Sequence, residues 1–357
     1  MFKPNVKVLL FILLLPLSMW SHAQDIQVKE SAPERYVVQQ GDTLWDISSL
    51  FLDKPWLWPE LWRTNSQIMN PHLIYPGDEL LLQWQDGQPV IVVNRPDKRQ
   101  VSLSPSASTS TKTGAIPLLP WDLISPYLNN DMIMSESDYD RLPHILGNTS
   151  GDTRFITDDI VLARSKGRAS DEYVIVRKQN EVFDRFGNPI GLQVRHVADG
   201  KLTEAQPNDE WLVRVKQSNY EAKRGDRLYT PQREDASDME LIPAQDRIYG
   251  EVVGNLHQRG LLGKHDVVII DLGGSDVSEG TVLGLYLKGP TIHDGEQPKY
   301  EGETGLLRSA FDDGNTIEQP AIKIGELVVF KTFDKASYAM ITRASELVKN
   351  GAIVAAP

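Results

Sequence analysis

Between residues 36 and 83, the hydrophobic positions follow first the spacing of a strand, then that of a helix, and finally that of a strand again. Leu44, Ile47 and Phe51 recur at helical spacing and would share one face of a first helix. Proline is tolerated in the first turn of a helix, so Pro59 can open a second one. The pattern predicts four elements, strand, helix, helix and strand, at residues 36–38, 44–53, 59–65 and 79–82. We therefore expect a βααβ module in which two helices pack on a two-stranded antiparallel sheet.

Turn residues and a helix cap separate these elements. Gly41 and Asp42 form a turn ahead of the first helix, and the hydroxyl of Thr43 is placed to cap that helix. Asp46, at the third helical position, lies at the end of the helix where the dipole favours a negative charge. The remaining breaks are turns that contain proline, at Lys54-Pro55, Asn70-Pro71 and Tyr75–Asp78.

The chain beyond this module is rich in predicted strands. Residues 102–114 are small and of low complexity, which is typical of a flexible tether that cannot bury a core. Short helices are predicted at residues 120–129 and 136–142. From about residue 153, β-type runs alternate with Gly, Asp and Asn, at residues 173–177, 192–197, 211–215, 267–270, 282–287 and 327–330. Strands spaced in this way favour a barrel or a sandwich over a parallel βαβ sheet.

The predicted fold class is α+β, with the βααβ module followed by a mainly-β region of two small related β-domains. The predicted divisions are a signal peptide at 1–23, a polar leader at 24–35, the module at 36–83, a linker at 84–115, a mixed α/β then β-rich domain at 116–235 and a β-rich C-terminal domain at 236–357. A weak internal similarity relates residues 191–229 to residues 325–354, each running strand, strand, charged turn, strand. Duplication of a β-domain and chance similarity among β-rich segments explain it equally well.

The N-terminus has the three-part layout of a secretory signal peptide. Lys3 and Lys7 precede an apolar run from Val8 to Leu17, and Ser21-His22-Ala23 is a small-x-small cleavage pattern. The apolar run is shorter than the roughly 20 residues that span a bilayer. We expect export with cleavage after Ala23, and the alternative is an uncleaved anchor.

Charge and cysteine content narrow the function classes. The formal charge is −12, and it becomes −14 after cleavage because the signal peptide carries two lysines and no acid. A net negative charge of this size argues against partners such as nucleic acid and anionic lipid. The absence of cysteine excludes lipoprotein acylation, thiolate nucleophiles, Cys-ligated zinc and disulfides. No transmembrane anchor is predicted after the signal peptide.

Two motifs frame the module. Tyr-x-Val-x-x-Gly-Asp-Thr-Leu-Trp-x-Ile runs from Tyr36 to Ile47, and Asn-Pro-x-x-Ile-x-Pro-Gly-x-x-Leu runs from Asn70 to Leu80. With this spacing, residues 36–83 resemble a LysM domain. The resemblance implies binding of glycans that contain N-acetylglucosamine, in bacteria usually peptidoglycan. It also implies a groove between the loop that opens the first helix and the loop after the second, at Gly41, Asp42, Thr43, Leu44, Asn70, Pro71, His72, Leu73, Ile74 and Tyr75.

The groove residues have chemistry that suits an N-acetyl group. Its methyl needs an apolar floor, which Leu73 and Ile74 would supply, and its amide needs backbone donors and acceptors that no sheet uses. Gly41 would let the backbone approach closely. Asp42 and Thr43 have a second interpretation, in which they only cap and brace the helix.

Six further residues of the module have structural interpretations. Trp45 and Trp62 are predicted to be core, because aromatic residues at helical spacing in so small a module pack inside. Trp56 and Trp58 either join the core or form an exposed patch for a protein partner. Asn65 and Asn70 are interpreted as turn and loop braces rather than as ligands.

The sequence carries no catalytic motif. The histidines form neither His-x-His nor His-Glu-x-x-His, and there is no Gly-x-Ser-x-Gly elbow. Gly260-Leu-Leu-Gly-Lys264 lacks the spacing and the hydroxyl of a phosphate loop. Carboxylate pairs such as Asp158-Asp159 and Asp312-Asp313 are interpreted as charged turns rather than as the acid pair of a glycosidase. We therefore predict a protein that is not an enzyme, with no metal and no cofactor.

The order of features along the whole chain supports a second resemblance. Lys-Pro-Trp-x-Trp-Pro-Glu-Leu-Trp occupies residues 54–62, Ala-Ile-Pro-Leu-Leu-Pro-Trp occupies 115–121, and a strand-rich run occupies 324–339. Together they resemble the secretin-associated proteins of type IV pili (the TsaP family), whose C-terminal part is similar to a flagellar outer-ring protein. The resemblance covers almost the whole mature chain, but Val348-Lys-Asn-Gly-Ala stands where the family more often has a Gly-Asp turn.

This resemblance implies a periplasmic, cell-wall-associated adaptor that anchors an outer-membrane secretin complex to peptidoglycan. One end would bind wall glycan, the tether at 102–114 would supply reach, and the β-rich end would dock on an oligomeric ring. Two alternatives remain open. One is a LysM-targeted cell-wall enzyme with an unrecognised active site in residues 150–357, and the other is a flagellar or general envelope structural protein.

Overall fold

The computed structural model describes residues 26–62, 73–95, 117–129, 131–164, 170–206, 208–231, 239–294, 298–300 and 316–357. The predicted signal peptide and the predicted tether lie outside the described residues. Asn65 and three of the predicted groove residues, Asn70, Pro71 and His72, also lie outside them.

The N-terminal part is a three-stranded antiparallel sheet covered by short helices. Its elements are β1 (Arg35–Val37), α1 (Leu44–Phe51), a 3₁₀ turn (Pro55–Leu57), α2 (Trp58–Trp62), β2 (Glu79–Gln85) and β3 (Gln88–Asn94), and the sheet order is β1-β2-β3. The predicted order strand, helix, helix, strand is confirmed. The prediction of a two-stranded sheet was wrong, because β3 adds a third strand.

A two-residue turn produces the third strand. Asp86 and Gly87 both have positive φ, 52° and 77°, which is the geometry of the tight turn whose twist matches that of a hairpin. β2 and β3 then pair in continuous register from Gln85↔Gln88 to Glu79↔Asn94. The linker predicted at residues 84–115 therefore begins too early, since residues 88–94 belong to the sheet.

One apolar core holds this part together. The predicted helix face is confirmed, because Leu44, Ile47 and Phe51 are all buried. β3 contributes Ile91 and Val93 to the same core. The segment predicted as a polar leader also packs there through three side chains, Ile26, Val28 and Ala32.

Two helices connect this part to the β-rich region. They are α3 (Trp121–Asn129) and α4 (Glu136–Arg141), close to the predicted ranges. The Ser135 hydroxyl caps α4 by accepting the amide of Asp138. The described helices have at most nine residues, and none combines the length and apolarity needed to cross a membrane.

A first large sheet follows. Its strands are β4 (Met132–Met134), β5 (His144–Gly147), β7 (Ile160–Arg164), β8 (Glu172–Phe183), β9 (Pro189–Gln206), β10 (Glu210–Ser218) and β12 (Arg227–Tyr229). A separate pair joins β6 (Arg154–Phe155) to β11 (Ala222–Lys223). The strand order is β10-β7-β5-β12-β8-β9-β4, and β10 pairs with β9 as well as with β7. Six of the strands therefore close on themselves.

The second large sheet closes in the same manner. Its strands are β13 (Ile242–Pro243), β14 (Tyr249–Asn255), β15 (Val267–Ile270), β16 (Thr281–Leu287), β20 (Ile322–Thr332), β21 (Ser337–Ala344) and β22 (Ile353–Ala355). A small sheet joins β17 (Ile292–His293), β18 (Lys299–Tyr300) and β19 (Thr316–Ile317). The order is β13-β16-β20-β21-β15-β14-β22, and β16 also pairs with β22.

The two closed sheets share one strand circuit. If the six strands of each are numbered along the chain, both run first, second, fifth, fourth, third, sixth and back to the first. The internal similarity between residues 191–229 and 325–354 falls on the fourth, fifth and sixth strands of each circuit. The predicted mainly-β character of the C-terminal region is confirmed.

Apolar side chains join the three parts of the molecule. One cluster contains Trp45 and Trp56 from the helical part, Val182 from the first closed sheet, and Phe330 and Tyr338 from the second. Separate cores lie within the second closed sheet and within the first. The helical part is thus packed against the β-rich region.

Candidate functional site: the groove of the helical module

The first lip of the predicted groove is the turn before α1. Gly41 has φ +96°, a conformation that glycine adopts without strain. The carboxylate of Asp42 accepts a hydrogen bond from the Tyr36 hydroxyl at 2.9 Å and another from the Gln39 amide at 2.8 Å. This carboxylate is therefore a brace of the turn, whether or not a ligand also reaches it.

Thr43 caps α1, as one of its two interpretations required. Its Oγ1 accepts the Asp46 amide at 3.1 Å and donates to Asp46 Oδ2 at 2.8 Å. The side chain of Thr43 is buried, and so is that of Leu44. The side chains of both residues therefore support the lip from the core side rather than facing a ligand.

The second lip precedes β2 and is held by an arginine. The amide of Tyr75 donates to Asp78 Oδ2 at 3.1 Å. Arg95 donates through Nε to the same oxygen at 3.2 Å and through Nη2 to the Leu73 carbonyl at 2.6 Å. Its guanidinium also lies 5.4 Å from the centre of the Tyr75 ring. Arg95 was not predicted as part of the site, because the unpredicted strand β3 is what brings it to the lip.

Two backbone hydrogen bonds tie the lips together. Val38 donates its amide to the Asp78 carbonyl at 2.9 Å, and Gly77 donates its amide to the Val38 carbonyl at 2.8 Å. Gly77 has φ +95°, close to the value at Gly41. Because Val38 follows β1 and its backbone binds the loop before β2, the sheet fixes the distance between the two lips.

Exposure separates residues that can touch a ligand from residues that support them. Leu73 is 43% exposed, Gly41 is exposed, and Tyr75 is half-buried. Ile74 is fully buried in the core, so its side chain supports the floor from beneath and offers no apolar surface in this structure. Contact between any of these residues and a sugar stays a prediction.

The N-terminus of α1 already has hydrogen-bond partners from a distant segment. The amide of Leu44 donates to the Pro117 carbonyl at 2.9 Å, and that of Trp45 donates to the Leu118 carbonyl at 3.1 Å. Together with the Thr43 cap, these bonds use three of the four free amides that begin a helix. This strap, residues 117–118, was not predicted from the sequence.

An ion pair joins the same helix to the second closed sheet. Lys264 Nζ lies 2.8 Å from Asp46 Oδ1. Burial would raise the pKa of Asp46, but the hydrogen bonds from Lys264 and Thr43 and the positive charge of Lys264 outweigh it and lower that pKa. The carboxylate thus stays ionised while it accepts the hydrogen bond of the Thr43 hydroxyl and contacts the β-rich region.

The four tryptophans of the module are all buried. Burial confirms the core prediction for Trp45 and Trp62, and it decides the open alternative for Trp56 and Trp58 in favour of the core. Trp58 and Trp62 pack with ring centres 5.5 Å apart inside the module. Trp45 and Trp56 instead belong to the cluster shared with the closed sheets, so they form the junction between the parts.

Tyr36, whose hydroxyl contacts the groove residue Asp42, has a strongly altered pKa. Burial, the hydrogen bond to Asp42 and the negative charges of Asp42 and Asp46 raise its pKa from 10.0 to about 12. The phenol therefore keeps its proton, and its hydrogen bond to Asp42, well into alkaline solution.

Of the carboxylate pairs considered for catalysis, Asp158-Asp159 lies in a turn. Asp159 accepts the Ile156 amide at 2.8 Å through its side chain, and its own amide donates to the Ile156 carbonyl at 3.1 Å. Asp158 has φ 74°, a conformation common in tight turns. Asp312-Asp313 lies outside the described residues.

Comparison with known proteins identifies the module. The LysM domain model matches residues 36–83, the range that the sequence predicted. Over 61 residues the chain is 36% identical to the Bacillus subtilis (strain 168) protein described as "Uncharacterized protein YqbP". That match covers 14% of this chain and spans only 28% of the length of that relative. Residues 36–83 are a LysM domain.

Proposed function

We propose that this chain binds peptidoglycan through its LysM domain and acts as a non-catalytic adaptor that holds a second envelope component at the cell wall. The LysM domain suggests carbohydrate binding, and it is the single observation on which the proposal depends. The braced groove between Gly41 and Tyr75 is where we place the acetylated amino sugar. Export, cleavage after Ala23 and a periplasmic location are part of the proposal.

The groove suits a neutral, modest-affinity ligand. The exposed Leu73 and the half-buried Tyr75 provide apolar surface for an N-acetyl methyl, and Gly41 leaves the backbone of the opposite lip accessible. The carboxylates of Asp42 and Asp78 are occupied by internal hydrogen bonds, so the sugar is recognised mainly through backbone groups and apolar contact. Repetition of such sites around a ring would raise the overall affinity.

We further propose that the β-rich region docks on an outer-membrane secretin complex of the type IV pilus kind. The support is the resemblance of the tryptophan-rich run at residues 54–62 and the terminal strands to secretin-associated proteins. We also propose that the two closed sheets arose by duplication. Their identical strand circuit supports this, as does the match of residues 191–229 to residues 325–354 at equivalent strands.

Co-sedimentation of the full mature chain with purified sacculi tests glycan binding. We expect Leu73→Asp and Tyr75→Ala each to weaken binding about 10-fold, because each removes exposed apolar contact from one lip. Trp84→Ala is the matched control, since Trp84 is 65% exposed at the far end of β2. Failure of the wild-type chain to sediment would refute the proposal, and so would equal losses in all three variants.

Two further assays test the adaptor role. Sacculi incubated with the full chain should release no muropeptides, and any release above that of buffer would favour a wall enzyme. Affinity purification of the full chain from wall-digested envelope extract should retain a secretin. Retention of a flagellar ring component instead would redirect the proposal to that system.

A further inference from the structure

A cleft of about 740 Å³, with polar and apolar lining in equal measure, lies between the two closed sheets. One wall is β8 from Lys178 to Phe183, and the other is β14 from Val253 to Asn255, with the loop at residues 258–260 at one end. Its volume falls within the roughly 300–1,000 Å³ of ligand-binding clefts. The cleft is separate from the LysM groove, and nothing proposed above uses it.

Both walls expose strand edges that lack a neighbouring strand. On one edge of β8, β12 pairs only with Val174–Val176. Over residues 178–183, every strand pairing that the structure describes is with β9, on the other edge of β8. β14 pairs with β22 only over Tyr249–Glu251, which leaves residues 253–255 paired on the β15 side alone. The Lys178 amide has the Tyr139 hydroxyl as a partner at 3.1 Å. An unpaired strand edge offers amides and carbonyls to an incoming strand.

The cleft also presents carboxamide side chains without hydrogen bonds. Within the described part of the chain, none of these five lining side chains has a hydrogen-bond partner: Gln179, Asn180, Gln193, Gln258 and Asn350. Gln193 is only 3% exposed. Carboxamides that use none of their donors and acceptors inside the protein are available to a ligand in the cleft.

The charges of the cleft are already neutralised inside the protein. Lys178 pairs with Glu181 at 2.9 Å, and Arg259 pairs with Asp266 at 3.0 Å. The groups that remain without a partner are uncharged: the carboxamide side chains and the backbone groups of the strand edges. Val182 and Ile269 also line the wall, but both side chains are buried in the core behind it. The matching ligand is therefore uncharged, with alternating donors and acceptors.

We propose that this cleft binds an extended, uncharged peptide segment, which adds as a strand to the open edge of β8. Strand addition explains why two open edges face the same cleft, and each carboxamide can pair with a peptide group through one donor and one acceptor. The edge from Lys178 to Phe183 accommodates about six residues, roughly 20 Å of strand. A glycan fits less well, since Phe183 is the one aromatic residue among the described residues that line the cleft.

Selection from a displayed library of random linear heptapeptides, on the immobilised full mature chain, tests this proposal. We expect the enriched peptides to be uncharged and rich in strand-forming residues. Gln193→Leu should weaken their binding about 10-fold while leaving thermal stability close to that of wild type, because the substitution breaks no hydrogen bond within the described part of the protein. Gln217→Leu is the control, since Gln217 is an exposed carboxamide of β10 outside the cleft.

The backbone of a selected peptide supplies the second measurement. Because alternate residues of a strand point their amides to opposite sides, N-methylation of one alternate set should abolish binding, and N-methylation of the other set should leave it intact. Three results would overturn the proposal: no enrichment over the Gln193→Leu variant, equal tolerance of both methylation patterns, or displacement of the peptide by N-acetylglucosamine oligomers. None of these depends on whether the LysM groove binds sacculi.

Discussion

At the scale of single residues, the same Gly-Asp turn recurs in different parts of the molecule. Asp42, Asp78 and Asp226 each follow a glycine of positive φ, and each carboxylate accepts the amide three residues earlier. At another comparable turn Gly351 has φ +85° although Ala352 stands in place of the acid, and the Ala352 amide still donates to the Lys349 carbonyl at 3.1 Å. The turn at Gly351 therefore forms without the acid, which elsewhere adds a brace.

The helix cap gives a first prediction at this scale. Thr43→Ala should lower the free energy of unfolding by about 1 kcal/mol, because the Asp46 amide loses its acceptor. Thr43→Ser keeps the hydroxyl and should unfold close to wild type. Urea unfolding of the full chain, followed by tryptophan fluorescence, measures both. Equal loss in the two variants would show that the methyl group, rather than the hydroxyl, is what matters.

Tyr36 gives a second prediction, on pH. Its pKa in the folded chain is raised from 10.0 to about 12, so the neutral phenol stabilises the fold below pH 10.0 and this contribution is lost as the pH rises towards 12. The free energy of unfolding should fall across that interval. Tyr36→Phe cannot ionise there, so its stability should fall less steeply. Parallel curves for the two proteins between pH 10 and 12 would contradict the assignment.

At the scale of elements, local sequence was enough for some features and insufficient for others. The face of α1, the cap at Thr43 and both LysM turns follow from hydrophobic spacing and turn chemistry within a few residues. β3 was missed although Asp86-Gly87 is a strong hairpin pair, since the LysM motif ends before it. Arg95, which holds the second lip, was missed for the same reason.

The burial of β3 gives a third prediction. Ile91 is fully buried in the LysM core, whereas its neighbour Val92 is half-buried on the opposite face of the strand. Ile91→Ala should lower the free energy of unfolding by about 2–5 kcal/mol, through lost burial and the cavity left behind. Val92→Ala should cost markedly less. If the module ended at residue 83, neither substitution would destabilise it, and denaturant unfolding of the full chain distinguishes the two cases.

At the scale of the whole molecule, the LysM domain is docked rather than free. The strap of residues 117–118, the Lys264–Asp46 ion pair and the junction of Trp45 and Trp56 all hold it against the closed sheets. Sequence could not predict these contacts, because they join residues far apart in the chain. Periodicity indicates that a face is buried, but not which distant element covers it. The LysM domain is therefore held by direct contacts with the rest of the molecule as well as by its covalent connection.

The junction gives a fourth prediction. Trp56 is 5% exposed and packs in the shared cluster, with Lys323 Nζ 6.0 Å from its ring centre. Trp56→Ala should weaken docking, so that calorimetry of the full chain resolves the LysM transition from that of the closed sheets. Trp84→Ala, at an exposed position, should leave the wild-type profile unchanged. A Trp56→Ala profile identical to wild type would mean that the cluster does not couple the parts.

The shared strand circuit has a consequence for how such chains can vary. In each closed sheet the first and sixth strands are neighbours, β5 beside β12 and β14 beside β22. Neighbouring strands lie only about 4.8 Å apart. The start of the first strand and the end of the sixth strand are therefore close together in each closed sheet. A whole unit could then be spliced in or out while the flanking segments still meet. Shorter and longer versions of this architecture are accessible by gain or loss of complete circuits.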